Sequence, residues 1–454
     1  MNNFSRERFK TGEEYSRALF FLSPFILLFS ISLFQVLNLT LFQGDKYQTI
    51  AESNRIYQKP ISPVRGFIYD RNGTLLAENI VQRDLYVTPA YIEDSAETIL
   101  KLSNLLDVPY ELLDENFSRG VKKVKKFDSF PLVKALNEEQ IAKAKVNLDS
   151  ISGIEVKATL KRYVLHEETL AHVLGYVGDI SSDDIRRDKL LAELQNTQIG
   201  KTGIEKEFDY VLRGKPGIQT QERDVKGKLV RILDTQGAED GKDIYLTIDQ
   251  KLQDHLFKLF ENRRGALVAL EPKTGLVRAL ISSPSFNPNI LNSIVDTDEV
   301  ESLFSNKESP IFNRAISGQY PPASTLKPFV GLAAIENEVI SWDKKIKDDG
   351  EFYVEGDPRP YRGWKENGHG RVDMRKAIAE SSDVYFYTIA FDLTLAGIRP
   401  MLDSFGFGKK TGLTDFEANG LLPDKKWKLG YKGDFWFKGD TINLGIGQGY
   451  ILAT

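Results

Sequence analysis

Ser324 and Lys327 are the two residues whose types and spacing most directly indicate chemistry. They lie in the segment 320–329, which reads Tyr-Pro-Pro-Ala-Ser-Thr-Leu-Lys-Pro-Phe. Residues three positions apart on a helix project from the same face, so the Lys327 amine can come within hydrogen-bonding reach of the Ser324 hydroxyl. An amine base beside a serine activates the hydroxyl for attack on a carbonyl carbon. The same spacing also fits a surface serine followed by a solvated lysine.

The flanking sequence predicts that Ser324 opens a helix. Pro321 and Pro322 favour an extended lead-in, and the apolar residues of 329–335 predict a buried helix behind it. Pro328 fits only the first turn, where backbone N–H groups have no intrahelical partner. Ser324 would then lie at the positive end of the helix dipole, which favours a deprotonated serine and a neutral lysine.

A second polar group, Ser381-Ser382-Asp383, follows a predicted helix over 374–379 and precedes an aromatic segment. A second pair of helices at this point would present Ser381 to the first site. Penicillin-binding serine enzymes use this kind of arrangement.

Together with several shorter motifs, these residues resemble the class B penicillin-binding proteins. The shorter motifs are Asn313-Arg314-Ala315, Trp364-Lys365, Gly368-His369-Gly370 and Gly445-Ile446-Gly447-Gln448-Gly449. Within that family the resemblance is greatest to the elongation type, because division-type relatives usually have Ser-x-Asn where this sequence has Asp383. The resemblance runs from the N-terminal apolar segment to Thr454.

Composition and net charge narrow the classes of protein to which this chain can belong. The 454 residues are enough for two or three domains beside an anchor. A formal net charge of −4 gives no indication of nucleic-acid binding. The chain has no cysteine, which excludes disulfides and thiolate metal sites and is compatible with an oxidising periplasm.

The segment 18–42 has no charged residue and is long enough to cross a hydrocarbon core as a helix. Basic residues precede it, so the positive-inside rule predicts a cytoplasmic tail over 1–17, an inner-membrane anchor, and the rest of the chain in the periplasm. A cleaved signal peptide is the alternative. Its cleavage signal is missing here, since no small-x-small site follows the apolar segment.

By the resemblance, residues 43–240 form an elongated, non-catalytic pedestal that raises the active site above the membrane. Within it, Asn72-Gly73 predicts a β-hairpin, and a short helix is predicted over 95–106. His172 has apolar neighbours, so we interpret it as a structural histidine.

Residues 241–454 are predicted to form the second domain. We expect a strand over 244–249, a helix over 250–262, a hairpin over 266–283 and a long polar rim loop over 285–317. The fold class is therefore α+β: a transmembrane helix, a mixed pedestal, and a transpeptidase domain with an antiparallel sheet and helices on both faces.

Serine transpeptidases of this kind carry a third motif, Lys-Thr-Gly, on a strand beside the active site. The triplet occurs here at Lys201, Lys273 and Lys410. The first lies in the predicted pedestal, the second in a predicted hairpin turn, and the third in a glycine-rich loop without a strand-like pattern. We therefore expect the motif beyond Thr454, so that the chain is C-terminally truncated and its domain incomplete.

Asp348, Asp349 and His369 could be spaced as metal ligands, and some relatives hold a zinc ion in this region through Asp, His and Cys. Gly363 and Ser382 stand where those relatives are expected to have an acid and a thiol. We therefore expect neither a metal nor another cofactor, and interpret His369 as hydrogen-bonded within its own loop.

The resemblance implies a peptidoglycan D,D-transpeptidase that works through a serine acyl-enzyme. Ser324 would attack the penultimate D-Ala carbonyl of a stem peptide, with Lys327 as base. Ser381 would relay a proton to the leaving amine, and Asp383 would orient the network. The family's partners are stem peptides, β-lactams, a glycan polymerase of the SEDS family and other membrane proteins of the elongation complex.

Two other functions use the same sequence features. A D,D-carboxypeptidase or β-lactamase-like hydrolase has the same serine and lysine but transfers the acyl group to water. A non-catalytic, membrane-anchored scaffold would instead activate the polymerase through its pedestal.

Overall fold

The structure is a computed structural model. It describes residues 4–38, 55–122, 124, 126–147, 151–189, 191, 198–224, 229–261, 263–293 and 297–454.

The first helix, α1, extends over Phe4–Leu37. Its apolar part, Phe20–Leu37, is long and apolar enough to cross a membrane by length and composition. The helix also includes most of the segment predicted as a separate tail, because no proline interrupts it before Pro24. The last predicted anchor residues, 39–42, lie outside the described residues.

The pedestal half is built on strands from distant parts of the chain. Its strands are β1 (Ile56–Ile61), β2 (Ile68–Tyr69), β3 (Leu75–Val87), β4 (Phe130–Val133), β5 (Ile154–Val164), β6 (Val177–Asp179), β7 (Gln198–Gly200), β8 (Gly217–Arg223), β9 (Leu229–Gln236) and β10 (Ile244–Tyr245). A five-stranded sheet has the order β10-β2-β3-β4, and β5 pairs with the long β3. β1, β8 and β9 form a second sheet, and β6 pairs with β7.

Short helices alternate with these strands along the chain. They are α2 (Ser95–Leu106), α3 (Tyr110–Val121), α4 (Glu138–Asn147), α5 (Glu167–Leu174), α6 (Ser182–Arg187), α7 (Gly203–Glu207) and α8 (Asp209–Arg213). Helix α2 has the predicted bounds, and the Asp94 side chain caps it by accepting a hydrogen bond from the Glu97 N–H at 3.0 Å. Leu102 and Leu106 of this helix are buried in the pedestal core.

The predicted hairpin at Asn72-Gly73 is confirmed, since β2 and β3 are antiparallel on either side of it. Asp70 accepts hydrogen bonds from the Asn72 and Thr74 N–H groups at 2.7 and 2.8 Å, and from the Gln250 N–H at 3.2 Å. Burial would raise the pKa of Asp70, but these backbone donors outweigh it and lower the pKa. Asp70 thus joins the hairpin to the first helix of the second half.

His172 lies buried on α5, with the edge of its ring against Phe286 at a centroid distance of 5.4 Å. Burial lowers its pKa to about 4, and backbone carbonyl groups of Pro284 and Pro310 oppose that shift only in part. A buried neutral ring agrees with the structural role predicted for this histidine.

The second half combines short strands with helices. The strands are β11 (Gly265–Leu270), β12 (Val277–Ser283), β13 (Ile346–Asp348), β14 (Glu351–Phe352), β15 (Tyr361–Arg362) and β16 (Gly370–Val372). The helices are α9 (Gln250–Leu259), α10 (Pro288–Ser293), α11 (Thr297–Ser305), α12 (Arg314–Ser317), α13 (Lys327–Glu336), α14 (Met374–Ala379), α15 (Asp383–Ser404), α16 (Lys425–Lys432) and α17 (Lys438–Gly445). β11 and β12 form the predicted antiparallel hairpin.

Predictions for residues 244–317 were wrong in detail, and the helix expected over 250–262 ends at Leu259. The strand expected over 244–249 is only β10, two residues long, and it pairs in parallel with β2 of the pedestal sheet. The segment 285–317 is not one rim loop but contains α10, α11 and α12. These helices are only four to nine residues long, so the sequence showed no sustained helical period.

The core of the second half lies where α15 packs between α13 and α17. Tyr385 and Phe386 of α15 are fully buried there, together with Val330 of α13 and Ile442 of α17. This core fixes the start of α13 against the start of α15, which carry the two predicted motifs.

Candidate active site

Ser324 lies in a 3-10 turn, Ala323–Leu326, that leads directly into α13. The α-helix therefore begins at Lys327, three residues later than predicted. Ser324 is exposed, whereas the Lys327 side chain is only 1% exposed. Pro328 occupies the first turn of α13, as expected. The nucleophile candidate thus faces solvent while its lysine points into the core.

The buried Lys327 ammonium is surrounded by three oxygen atoms. Its Nζ donates to the carbonyl oxygen of Ser381 at 2.9 Å, to Ser381 Oγ at 3.0 Å and to Asp383 Oδ1 at 2.7 Å. A charged lysine has three N–H donors, so these contacts use all of them. The carboxylate of Asp383 supplies the opposite charge that a buried ammonium requires.

Ser324 is connected to Lys327 through Ser381. The hydroxyl groups of Ser324 and Ser381 share a hydrogen bond of 2.9 Å. The sequence predicted direct contact between Ser324 and Lys327; the structure instead places the Ser381 hydroxyl between them. All four predicted site residues, with Asp383 on the far side of the lysine, therefore form one hydrogen-bonded chain.

Two residues of the site have a left-handed backbone although they are not glycine. Ala323 has φ 50° and Ser381 has φ 52°. Such conformations cost energy and persist only where the surrounding structure enforces them, which is common at functional sites. Sequence reasoning did not anticipate either one.

Ser382 fixes the loop that carries Ser381 and Asp383. Its hydroxyl caps α15 by accepting from the Tyr385 N–H at 3.2 Å, and it donates to Asp348 Oδ2 at 2.6 Å. Asp383 is the first residue of α15, where the helix dipole favours a carboxylate.

His369 does not bond within its own loop as expected; its Nδ1 lies 2.7 Å from Asp348 Oδ2 on β13. Burial would raise the pKa of Asp348, but hydrogen bonds from Ser382, His369 and the Gly350 N–H outweigh it and lower the pKa. Among the residues that the structure describes, no group of three or more His, Asp or Glu side chains is arranged to hold a metal ion.

Trp364 is a residue of the site whose role sequence reasoning missed. Its indole N–H donates to the Ser381 carbonyl oxygen at 3.1 Å, and its backbone N–H donates to Asp383 Oδ2 at 3.2 Å. The Trp364-Lys365 motif was the only sequence signal for it.

The three Lys-Thr-Gly triplets all lie apart from this chain of hydrogen bonds. Lys201 is ion-paired with Asp184 in the pedestal. Lys273 lies in the turn between β11 and β12, as predicted. Lys410 donates to the carbonyl oxygen of Asp415 at 2.5 Å inside a loop.

A cavity of about 640 Å³ lies away from Ser324, between the pedestal and the second half. It is lined mainly by apolar side chains, among them Ile204, Phe286, Phe312 and Phe416. None of the four residues of the hydrogen-bonded chain lines this cavity.

Comparison with known families matches almost all of the chain after α1. Residues 60–246 match the penicillin-binding protein dimerisation domain, and residues 265–454 match the penicillin-binding protein transpeptidase domain. The chain is 36% identical to the peptidoglycan D,D-transpeptidase MrdA of Escherichia coli K12 over 446 residues, covering 96% of this chain and 70% of the relative. It belongs to the class B penicillin-binding proteins of the PBP2/MrdA type.

Other members of this family give the same picture. The MrdA of Acinetobacter baumannii is 37% identical over 418 residues, 92% of this chain and 62% of that protein. The complex of PBP2 with MreC from Helicobacter pylori matches with a TM-score of 0.78 at 30% identity, over 88% of this chain and 75% of the other. Pseudomonas aeruginosa PBP2 in complex with WCK 5153 matches with a TM-score of 0.63 at 30% identity, over 88% and 68%.

The class B assignment confirms the family and fold class expected from the sequence. The chain spans about two thirds of the length of the curated relatives that it matches.

Proposed function

We propose that this protein is a peptidoglycan D,D-transpeptidase that cross-links stem peptides through an acyl-enzyme on Ser324. The observation that carries the proposal is the hydrogen-bonded chain from Ser324 through Ser381 to Lys327 and Asp383. A hydroxyl connected to an amine by one relay group can lose its proton as it attacks a carbonyl. The names and domains of the relatives give the reaction class.

The first step is proton transfer along this chain. As an ammonium, Lys327 has no lone pair, so it must first release one proton to solvent. Its two remaining N–H groups stay on the Ser381 carbonyl and on Asp383, and its lone pair faces the Ser381 hydroxyl. Ser381 then passes its proton to Lys327 and takes the proton of Ser324.

Acyl transfer follows from that proton movement. Ser324 Oγ bonds to the carbonyl carbon of the penultimate D-Ala, and the backbone N–H of Ser324 is one donor to the oxyanion. The bond to the terminal D-Ala breaks when Lys327, through Ser381, returns the proton to the leaving nitrogen. An amine of a second stem peptide then attacks the ester, forms the cross-link and restores the Ser324 hydroxyl. A β-lactam acylates Ser324 and remains attached.

The same proposal places the protein in the inner membrane. Helix α1 is the anchor, with its basic N-terminal flank in the cytoplasm, because positive residues are retained on that side. An MreC-type protein is a candidate partner, since the Helicobacter pylori PBP2 is known in complex with MreC. A SEDS-family polymerase is the second candidate, on the family resemblance. Photo-crosslinking from pedestal positions in native membranes tests both partners.

Covalent labelling by a fluorescent penicillin tests the catalytic proposal. In the complete protein the parent should label, Ser324→Ala should not, and Ser341→Ala, on an exposed turn after α13, should label like the parent. Labelling of Ser324→Ala at the parental rate would disprove the assignment. Incubation with a donor and an acceptor stem peptide then separates the reactions: a cross-linked product is expected, whereas only shortened donor would indicate a hydrolase.

A further inference from the structure

Trp364 contacts both residues that surround the Lys327 amine, yet the mechanism above does not use it. It lies between β15 and β16, and 67% of the residue is exposed. Its indole N–H donates to the Ser381 carbonyl oxygen at 3.1 Å. Its backbone N–H donates to Asp383 Oδ2 at 3.2 Å. One residue therefore reaches the Ser-x-Asp motif with two donors.

Trp364 and Lys327 share their acceptors. The Ser381 carbonyl oxygen receives the indole N–H and a Lys327 N–H, the latter at 2.9 Å. The Asp383 carboxylate receives Lys327 on Oδ1 and the Trp364 backbone on Oδ2. A carbonyl oxygen has two lone pairs and a carboxylate accepts on both oxygens, so neither acceptor is overfilled. The two hydrogen bonds that Trp364 donates therefore affect how strongly the Ser381 carbonyl oxygen and the Asp383 carboxylate bind the Lys327 amine.

The Trp364 indole also packs against a second aromatic ring. The His369 ring packs edge-on against it, with ring centroids 5.4 Å apart. His369 is fixed by Asp348, which also accepts from the Ser382 hydroxyl. The loop of Ser381, Ser382 and Asp383 is thus secured on one side by Asp348 and on the other by Trp364.

We propose that Trp364 is a positioning residue for acylation of Ser324. Because its indole N–H shares the Ser381 carbonyl oxygen with Lys327, that oxygen stabilises the Lys327 ammonium less strongly, which favours the neutral lysine that can act as a base. It also helps to hold Ser381 in its left-handed backbone, φ 52°, with the hydroxyl directed at Ser324. This inference rests on the proposed function, because it concerns the same acylation.

Two changes at position 364 isolate the indole N–H. Trp364→Phe removes it together with part of the ring. Replacement by β-(3-benzothienyl)alanine keeps the bicyclic shape and exchanges only the N–H for sulfur. Both keep the backbone N–H to Asp383. Trp342→Phe, at an exposed tryptophan in the turn after α13, is the matched control.

Stopped-flow measurements with a fluorescent penicillin give the acylation rate constant and the prior binding constant separately. We expect both Trp364 changes to slow acylation about 2- to 10-fold, as for the loss of one neutral hydrogen bond. The benzothienyl protein should bind the drug as the parent does. Without the indole donor, the Ser381 carbonyl oxygen accepts from Lys327 alone and stabilises the Lys327 ammonium more strongly than in the parent. The rising limb of the pH profile of acylation should therefore move to higher pH.

Two ionisable groups can influence this profile directly: Asp383 is paired with Lys327, and His369 packs against Trp364. Glu380 lies 4.0 Å from His369 Nε2. The profile is therefore repeated in a His369→Gln background, where the shift caused by the benzothienyl group should persist. A parental rate and an unshifted profile in the benzothienyl protein would overturn the inference. If the parent itself is not acylated, the proposed function fails instead, so the two failures are distinguishable.

Discussion

The backbone N–H of Ala323 donates a hydrogen bond of 2.9 Å to the carbonyl oxygen of Gly447. Ala323 has a left-handed backbone and immediately precedes Ser324. Gly447 lies in the Gly445-Ile446-Gly447-Gln448-Gly449 motif, 124 positions after Ala323, and has φ 72°. The conformation of the nucleophile turn therefore depends on a distant glycine loop.

Gly447→Ala should damage the site through this contact. A Cβ at position 447 would stand 2.1 Å from the Ala323 carbonyl oxygen, and the positive φ adds strain. Because displacing a reacting group by about 1 Å can cost about 10²-fold in rate, we expect a loss of this order in penicillin acylation. Gly430→Ala on α16, where a Cβ meets no atom within 4 Å, is the control and should acylate normally. Equal rates in the two variants would contradict the contact's importance.

Removing the Ser381 hydroxyl should break the hydrogen-bonded connection between the side chains of Ser324 and Lys327. We expect Ser381→Ala to slow acylation by about 10²- to 10⁴-fold, the range for lost general acid–base catalysis. Ser381→Gly is the companion variant, since glycine adopts φ 52° without strain but also lacks the hydroxyl. Similar losses in both would assign the effect to the hydroxyl. Recovery in the glycine variant would assign it to the backbone.

The Lys-Thr-Gly triplets within this chain should be dispensable for acylation. Lys273 lies in a hairpin turn and Lys410 in a loop, where it donates to the Asp415 carbonyl. We expect Lys273→Met and Lys410→Met to label with fluorescent penicillin within about twofold of the parent, as exposed substitutions usually have small effects. Lys327→Met, measured beside them, should not label. A loss of labelling in either triplet variant would show that its lysine belongs to the site.

His172 should make the fold sensitive to mild acid. Its pKa is lowered from 6.5 to about 4 by burial, so between these values the unfolded chain binds a proton that the folded chain does not. The free energy of unfolding should therefore fall as pH drops from 6.5 towards 4, by about 3 kcal/mol at most, at 1.36 kcal/mol for each pH unit.

His172→Gln tests this dependence. The variant is expected to be less stable than the parent at pH 7, but the difference should shrink as the pH approaches 4. Denaturant midpoints at several pH values measure the effect, and His166→Gln, at a half-buried histidine before α5, is the control. A constant difference between parent and His172→Gln across this range would show that His172 is not the source.

Local sequence determined much of the secondary structure. Helices Ser95–Leu106 and Met374–Ala379 have their predicted bounds, and the hairpin over 265–283 forms around its predicted turn. In each case capping groups, apolar spacing and turn residues act over about four positions. These elements can therefore be predicted from neighbouring residues in the sequence. The types and spacing of Ser324, Lys327, Ser381 and Asp383, together with the family resemblance of the shorter motifs, likewise led to the prediction of a serine-based site.

The arrangement within that site was decided only by tertiary structure. Ser381 follows Ser324 by 57 positions, and the packing of α15 between α13 and α17 brings their hydroxyls together. The free energy of that packing also offsets the strain of the left-handed backbone at Ser381, a conformation that a serine does not favour by itself. The position of Trp364 beside Ser381 and the pairing of the two-residue strand β10 with β2 likewise depend on contacts between distant parts of the chain. Each acquires its role from groups far away in the chain, and these meet only when the core has formed.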